Sequence, residues 1–328
     1  MNSHGNHTGI RGLPARLTAC LSLLLCTHTM AQHPWQKPSA PVPKAEIDRI
    51  IGPISAAKIE KPIHALWVWG YDKNHGPGNH DYERIRDLMA GLLGKIAGFN
   101  LEAVYEFPTA EQFAKSDLIC MYLHLPDLTD QQHASLKGFI NRGGAVVSIH
   151  ESCIIRPKEA GQELSESLGM AWNEGESKWG ALFTAINLDT DHEIFRGFDK
   201  KLELPDEFYW SLNTQEAGVR ILATVPTGPP NGSNSQVAED KLDKQQQPVV
   251  WTYELGKGRV FGTSAGHNTF TFYDPKFRIM LFRGIAWALR QRPDPFMPAV
   301  SEGITSPEGM VGTTDTMRDW RGKRRRPE

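Results

Sequence analysis

The chain has 328 residues, 40% of them hydrophobic and 23% charged, which is enough apolar material to bury a sizeable core. Its formal net charge of -2 lacks the basic surplus of a protein that grips phosphate backbones, so no nucleic acid is expected as a partner. The four cysteines imply no disulfide framework: Cys20 and Cys26 fall in the apolar N-terminal segment, and Cys120 and Cys153 read as buried thiols.

At the N-terminus, Arg11 and Arg16 precede an apolar run from Leu17 to Cys26, and Thr29-Met30-Ala31 places small residues at the -3 and -1 positions of a cleavage site. This is the pattern of a signal peptide over residues 1–31, with a mature chain starting at Gln32 in the periplasm or outside the cell. The run is too short for a transmembrane segment. Leu17-Thr18-Ala19-Cys20 is lipobox-like and would instead make Cys20 a lipid anchor, but the apolar stretch follows that cysteine rather than preceding it. Residues 32–62, rich in Pro and Lys, read as a linker or wrapping arm.

The folded domain is expected over 63–291. Ile63 to Trp69 is a short apolar strand, followed by a Gly/Asn/His loop and a helix from Tyr82 to Ala97, where Ile85, Leu88, Met89, Leu92, Leu93 and Ile96 recur at helical spacing. The unit then repeats: a strand at Phe99–Tyr105, a short helix at Thr109–Lys115, a strand at Asp117–Leu123, a helix at Thr129–Asn141 with Thr129 as its N-cap, and a strand at Ala145–His150. Strands are also expected at Trp179–Leu188, Val219–Val225 and Pro248–Leu255. The last of these turns through Gly256-Lys257-Gly258 into Arg259–Ser264, an antiparallel hairpin. Pro275 to Arg290 closes the domain as a helix with Pro in its first turn. Alternating strands and helices predict an α/β, flavodoxin-like, doubly wound and mostly parallel sheet with an added hairpin. Thr227–Gln247 reads as a long surface loop, and 292–328 as a disordered basic tail.

Ligands of such sheets collect at the carboxyl ends of the strands, and there this chain places histidines. His75, His80 and Asp81 lie in the loop after the first strand, His124 ends the third, His150-Glu151 the fourth and His267-Asn268 the last. Ser148 and Ser152 flank His150 at the two positions where a sharp strand-to-helix elbow needs small residues. Histidine at the elbow tip suits general acid/base work or metal ligation, because its ordinary pKa is near neutrality. Leu204 to Tyr209 is expected to be irregular and to present Asp206 and Glu207 beside aromatics, placed to orient a histidine or bind sugar hydroxyls; a turn role for Asp206 weighs equally. No G-x-G-x-x-G follows the first strand, and there is no Walker loop or Cys-x-x-Cys pair, so nicotinamide, nucleotide triphosphate and structural zinc find no support.

The run Phe139 to His150 (FINRGGAVVSIH), the segment Asp206 to Tyr209, and Pro248 to His267 (PVVWTYELGKGRVFGTSAGH) with Phe277-Arg278 and Arg283 to Ala288 resemble the ThuA-like (trehalose utilisation) family. The resemblance covers about Ile63 to Leu289. It implies a fold similar to class I glutamine amidotransferases without their catalytic cysteine, since His150 stands at the elbow, and His267 falls near the place of the amidotransferase His-x-Glu pair. It further implies a role in the uptake or breakdown of trehalose and related disaccharides, including keto-sugars, and no amidotransferase activity.

Two readings follow. In the first, an enzyme acts on a small-molecule carbohydrate by lyase, isomerase or hydrolytic chemistry. His150 and His267 serve as acid and base, Glu151 or Glu207 orients one of them, and His80, His124, Asp206, Tyr209 and Asn268 contact the substrate. No cofactor is required, but one version adds a divalent metal on His80, His150 and His267 as the electrophile. In the second, the chain is a non-catalytic carbohydrate-binding or scaffold module. Geometry separates them: an enzyme should hold His150 within hydrogen-bond reach of a carboxylate or another histidine inside a pocket, whereas scattered, solvent-filled histidines would favour the module. Substrate identity and oligomeric state stay open.

Overall fold

The computed structural model describes residues 38–72, 75, 78–182, 185–227 and 245–303. The expected signal peptide, the segment 228–244 and the basic tail from residue 304 lie outside the described residues.

In chain order the elements are α1 (Lys44–Ile51), β1 (Ile63–Trp69), α2 (Tyr82–Leu93), β2 (Phe99–Tyr105), α3 (Ala110–Lys115), β3 (Leu118–Tyr122), α4 (Asp130–Asn141) and β4 (Ala145–Ile149). They continue with α5 (Lys158–Leu168), β5 (Met170–Ala171), β6 (Lys178–Leu182), β7 (Ile186–Leu188), β8 (Lys201–Leu202), β9 (Asp206–Trp210), β10 (Asn213–Thr214), β11 (Val219–Thr227), β12 (Gln245–Leu255), β13 (Gly258–Thr263) and α6 (Pro275–Ala288). The main sheet has the order β2-β1-β3-β4-β13-β12-β11-β7-β8. Its first five strands all pair in parallel, in the flavodoxin-like order whose ligand crevice lies at the carboxyl ends of the strands. β12 pairs antiparallel with β13 and with β11, which supplies the added hairpin.

The inner parallel strands β1, β3, β4 and β13 read as largely apolar runs because both faces of the sheet are covered there, whereas β2, at the edge, exposes Asn100 and Glu102. Alternate residues enter two separate cores. Ala65, Trp67 and Trp69 of β1 join Tyr82, Ile85 and Met89 of α2 and much of α6. Leu66 and Val68 join Phe113 of α3, Leu136 and Phe139 of α4 and Leu164 of α5. α3 and α4 begin with full capping boxes, Thr109 with Gln112 and Thr129 with Gln132, a reciprocal arrangement that satisfies two otherwise orphaned N–H groups. Asp274 caps α6, accepting from the N–H groups of Lys276 and Phe277.

Several elements differ from expectation. The helix after β1 stops at Leu93, with Gly94 as its C-cap; the poorer helix propensity of Gly91 and Gly94 ends it early. α5 is absent from the sequence reading because its buried side includes Ser165 and Ser167 beside Leu164 and Leu168, which blurs the apolar stripe. The segment 206–210 is a regular strand, antiparallel to β6 and buried at all five positions. Its two acids and three aromatics give no alternation to read. The expected strand over 179–188 is two strands, β6 and β7.

The arm carries α1, whose Ile47 and Ile50 enter the core. The start of the expected tail is packed too: a 3-10 helix over Asp294–Ser301 buries Phe296, Met297, Ala299 and Val300. The buried Arg278 guanidinium donates to the Val300 carbonyl at 3.2 Å. An apolar quartet so near a helix end is drawn against it, so disorder does not extend to these residues. Among the described residues no helix is long and apolar enough to cross a membrane.

Candidate functional site

The carboxyl ends of β1, β3, β4 and β13 meet as the topology requires, and their histidines meet with them. β4 passes into a 3-10 turn over His150–Cys153, and the two serines do the work expected at the elbow. Ser148 and Ser152 share a hydrogen bond of 2.9 Å, and the Ser152 hydroxyl accepts from the Ile149 N–H at 2.8 Å. The turn forces His150 to φ 54°, and His80 sits at φ 47°. Left-handed backbone at a non-glycine residue costs free energy that the surrounding structure must offset, and such strain concentrates at functional positions.

Three imidazoles converge. His80 Nε2 lies 3.0 Å from His150 Nε2 and 2.9 Å from His267 Nδ1, and all three rings are at most 2% exposed. Each is held from behind. His80 Nδ1 donates to the Asp72 carboxylate at 2.7 Å, and His150 Nδ1 donates to the Ser264 carbonyl at 2.7 Å. The His267 backbone carbonyl accepts from the His80 N–H at 2.9 Å. The Tyr209 hydroxyl stands 2.7 Å from His150 Nε2. Glu207, two residues before Tyr209 and so on the same face of β9, brings Oε1 to 3.5 Å from His267 Nδ1 and 3.9 Å from His150 Nε2.

Glu151 takes a different place from the one expected. Its carboxylate accepts from the Tyr82 hydroxyl at 2.6 Å, lies 3.1 Å from His80 Nδ1 and pairs with His124 at 2.9 Å. It therefore backs His80 rather than His150 or His267. His124, with 46% of its side chain exposed, and His75, 35% exposed and 2.6 Å from Asp72, form the solvent side of the cluster.

Asp206 and Asn268 are inside rather than at a ligand-facing surface. Asp206 is fully buried, and both its oxygens are engaged: Oδ2 by the Gly266 N–H at 2.8 Å, and Oδ1 by the N–H groups of Glu207 and Asn268 and the Asn268 side-chain amide. The pair ties the loop after β13 to the start of β9. Asp81 does similar work, accepting from Gly78 N–H and the Thr269 hydroxyl. A cavity of about 350 Å³ adjoins the same two segments along the chain, lined by Leu204, Pro205, Phe270, Tyr273 and the arm residues 38–42.

The electrostatics separate the groups. Burial opposes charge on His80, but Glu151 and Asp72 outweigh it and raise its pKa to about 10. Burial and the neighbouring His80 charge push both His150 and His267 well below the ordinary histidine value. Burial would lift Asp72 and Glu151, yet their histidine partners hold both well below the usual carboxylate range. Glu207 goes the other way: burial lifts it to about 8, against the pull of His80. Neighbouring groups with pKa values driven apart occur at reacting centres and in buried ion-pair networks alike.

Sequence reasoning missed Asp72, Tyr82 and the Ser264 carbonyl. An acid sharing a strand-end loop with His75 and His80 was the available signal for the first; a tyrosine at a helix start and a backbone oxygen leave none. The thiols take no part. Cys153 is fully buried, donates to the His150 carbonyl at 3.2 Å and is pushed by burial up to about 12. Cys153→Ser is expected to keep turnover within about twofold of wild type. A loss of turnover on a panel of disaccharides and their keto forms near the hundredfold scale of a catalytic donor would restore a cysteine mechanism.

A family model described as trehalose utilisation, ThuA, matches residues 66–288. No protein with a curated description matches the chain. Among solved structures, a ThuA-like protein from Bacteroides uniformis superposes with a TM-score of 0.56 at 18% identity, covering 73% of this chain and 98% of that one. A ThuA-like protein from Parabacteroides merdae gives 0.52 at 18% identity, covering 72% and 99%. At this identity the likeness concerns the fold.

Proposed function

The chain belongs to the ThuA, trehalose utilisation, family, and from that membership and the site together we propose that it is an enzyme processing a disaccharide or its keto form by proton transfer at the cluster of His80, His150, His267 and Glu207. The observation that carries the reading is the burial of these four ionisable groups in mutual contact at the carboxyl edge of the sheet. Burying such groups costs several kcal/mol apiece unless each is paired (~2–7 kcal/mol for a polar group left alone), and apolar residues of the same volume would hold the fold more cheaply. Two of the four residues also accept backbone strain to reach their places.

The roles follow from placement. His150 is fixed in one orientation by Ser264, so its Nε2 faces the cluster. Glu207 reaches both His150 and His267 and is the carboxyl group placed to pass a proton between them and a bound sugar. Tyr209 donates into the same point and fits a substrate oxygen. Asp72 and Glu151 position His80. His124 and His75 line the approach from solvent, where a sugar hydroxyl would first meet the protein.

The test is incubation of the purified chain with trehalose, other disaccharides and their keto forms, following products by chromatography and carbon-bound deuterium uptake from heavy water by NMR. Turnover or deuterium exchange of at least one member is expected. Saturable binding without either over the whole panel would assign the chain to the module class instead.

A further inference from the structure

The Nδ1 atoms of His80 and His150 both face acceptors, the Asp72 carboxylate and the Ser264 carbonyl, at 2.7 Å each. A ring nitrogen facing an acceptor carries the hydrogen, so in the neutral rings both Nε2 atoms carry lone pairs. Yet these atoms stand 3.0 Å apart. Two lone pairs at that distance repel, and the contact requires a positive centre between them. A proton on His80 Nε2 is one candidate, but a single hydrogen engages only one of that atom's two close neighbours, His150 Nε2 at 3.0 Å and His267 Nδ1 at 2.9 Å. It also leaves unexplained why His267 Nδ1 and the Glu207 carboxylate converge on the same point.

We propose that His80 Nε2, His150 Nε2 and His267 Nδ1 bind a divalent first-row transition ion, with Glu207 as the adjacent carboxylate. The inference concerns the site of the function proposed above and rests on that site being the working one. Nitrogen atoms bound to one such ion at about 2.0–2.1 Å stand roughly 2.9–3.4 Å apart; the observed separations of 3.0 and 2.9 Å fit that range. His150, His267 and Glu207 also offer ligand atoms within 4.8 Å of one another.

The surroundings are those of a metal site. Ligating histidines donate their other N–H to a carboxylate or a backbone carbonyl, which fixes the tautomer and raises ligand basicity; Asp72 and Ser264 supply one of each. A set of imidazoles with one carboxylate and no thiolate suits zinc and its first-row neighbours rather than calcium or magnesium. Three protein nitrogens leave a coordination position open to substrate, the arrangement of catalytic rather than structural sites. The ion would polarise a sugar carbonyl or hydroxyl. With the three imidazoles occupied, the proton-carrying role falls to Glu207, and an ion on His150 Nε2 would release the Tyr209 hydroxyl, 2.7 Å from that atom, to serve the carboxyl or the substrate.

The test is a metal count that needs no sugar. The full chain is stripped with dipicolinate and dialysed, then titrated with Zn²⁺ and separately with Co²⁺, reading bound metal by plasma emission and the cobalt site by its visible absorption. One tightly held equivalent per chain is expected, with cobalt bands typical of nitrogen and oxygen ligation. His80→Gln and His150→Gln should each weaken binding a hundredfold or more. Asp72→Asn keeps the first set of ligands and should weaken it about ten- to a hundredfold, and circular dichroism will report whether each variant is folded. Less than a tenth of an equivalent on folded wild type, or folded variants that bind as wild type does, would overturn the metal site. Turnover that survives complete stripping would likewise remove the ion while leaving the carbohydrate reading in place.

Discussion

Replacing His150 with alanine is expected to lower turnover by at least about a hundredfold, the lower end of what a positioned acid or base contributes, while the chain stays folded. The ring is fully buried, but what it touches is mostly polar: the Ser264 carbonyl, the Tyr209 hydroxyl and His80 Nε2. Truncation leaves those partners unpaired, at a cost of about 1–3 kcal/mol, and the strain at φ 54° persists because alanine tolerates that conformation no better. Melting should therefore fall by a few degrees and activity by far more. The reverse result, a large drop in melting temperature with unchanged activity per folded molecule, would make His150 a packing residue and the site assignment wrong. A His150→Gly variant sharpens the comparison. It relieves the strain and removes the ring, so it should melt at or above the alanine variant and be equally inactive.

How far the site was legible depended on what each residue's neighbours in the chain could disclose. β1, β3, β4 and β13 could be read because strands covered on both faces are near-continuous apolar runs between turn residues; β2, an edge strand with Asn100 and Glu102 exposed, was legible from its place in the repeating strand-helix order. That parallel order puts strand ends on one edge, which is why His80, His150 and His267 could be grouped although they are far apart in sequence. Roles within the group were not legible. Glu151 adjoins His150 in sequence, yet the left-handed turn at His150 sends the carboxylate toward Tyr82, His80 and His124. Glu207 reaches His150 and His267 only because β9 is a strand, and its run of acids and aromatics carries no periodicity to say so. Asp72 could be suspected from the loop it shares with His75 and His80 but not given a role, because that role lies in His80 folding back onto it at 2.7 Å, a loop conformation no spacing rule encodes.

Asp206 separates a ligand-contacting acid from an internal brace, and Asp206→Ala is expected to be among the most destabilising single substitutions in the chain. Its carboxylate accepts from four donors, the N–H groups of Glu207, Gly266 and Asn268 and the Asn268 amide. No water replaces it easily, since the residue is fully buried. Each buried donor left unsatisfied costs about 1–3 kcal/mol; with partial relaxation the sum is about 3–5 kcal/mol, near the upper limit for point substitutions. The urea midpoint should fall accordingly with the slope unchanged, because the same surface is exposed on unfolding. Asp206→Asn should cost less but not nothing, since one face of the amide presents N–H where Oδ1 or Oδ2 now accepts. The loop it braces holds His267, whose backbone carbonyl in turn receives the His80 N–H at 2.9 Å. Loss of the brace should therefore loosen the histidine cluster and reduce turnover in proportion to the destabilisation. A variant that keeps the wild-type midpoint and loses only affinity for sugar would show instead that Asp206 meets the substrate directly.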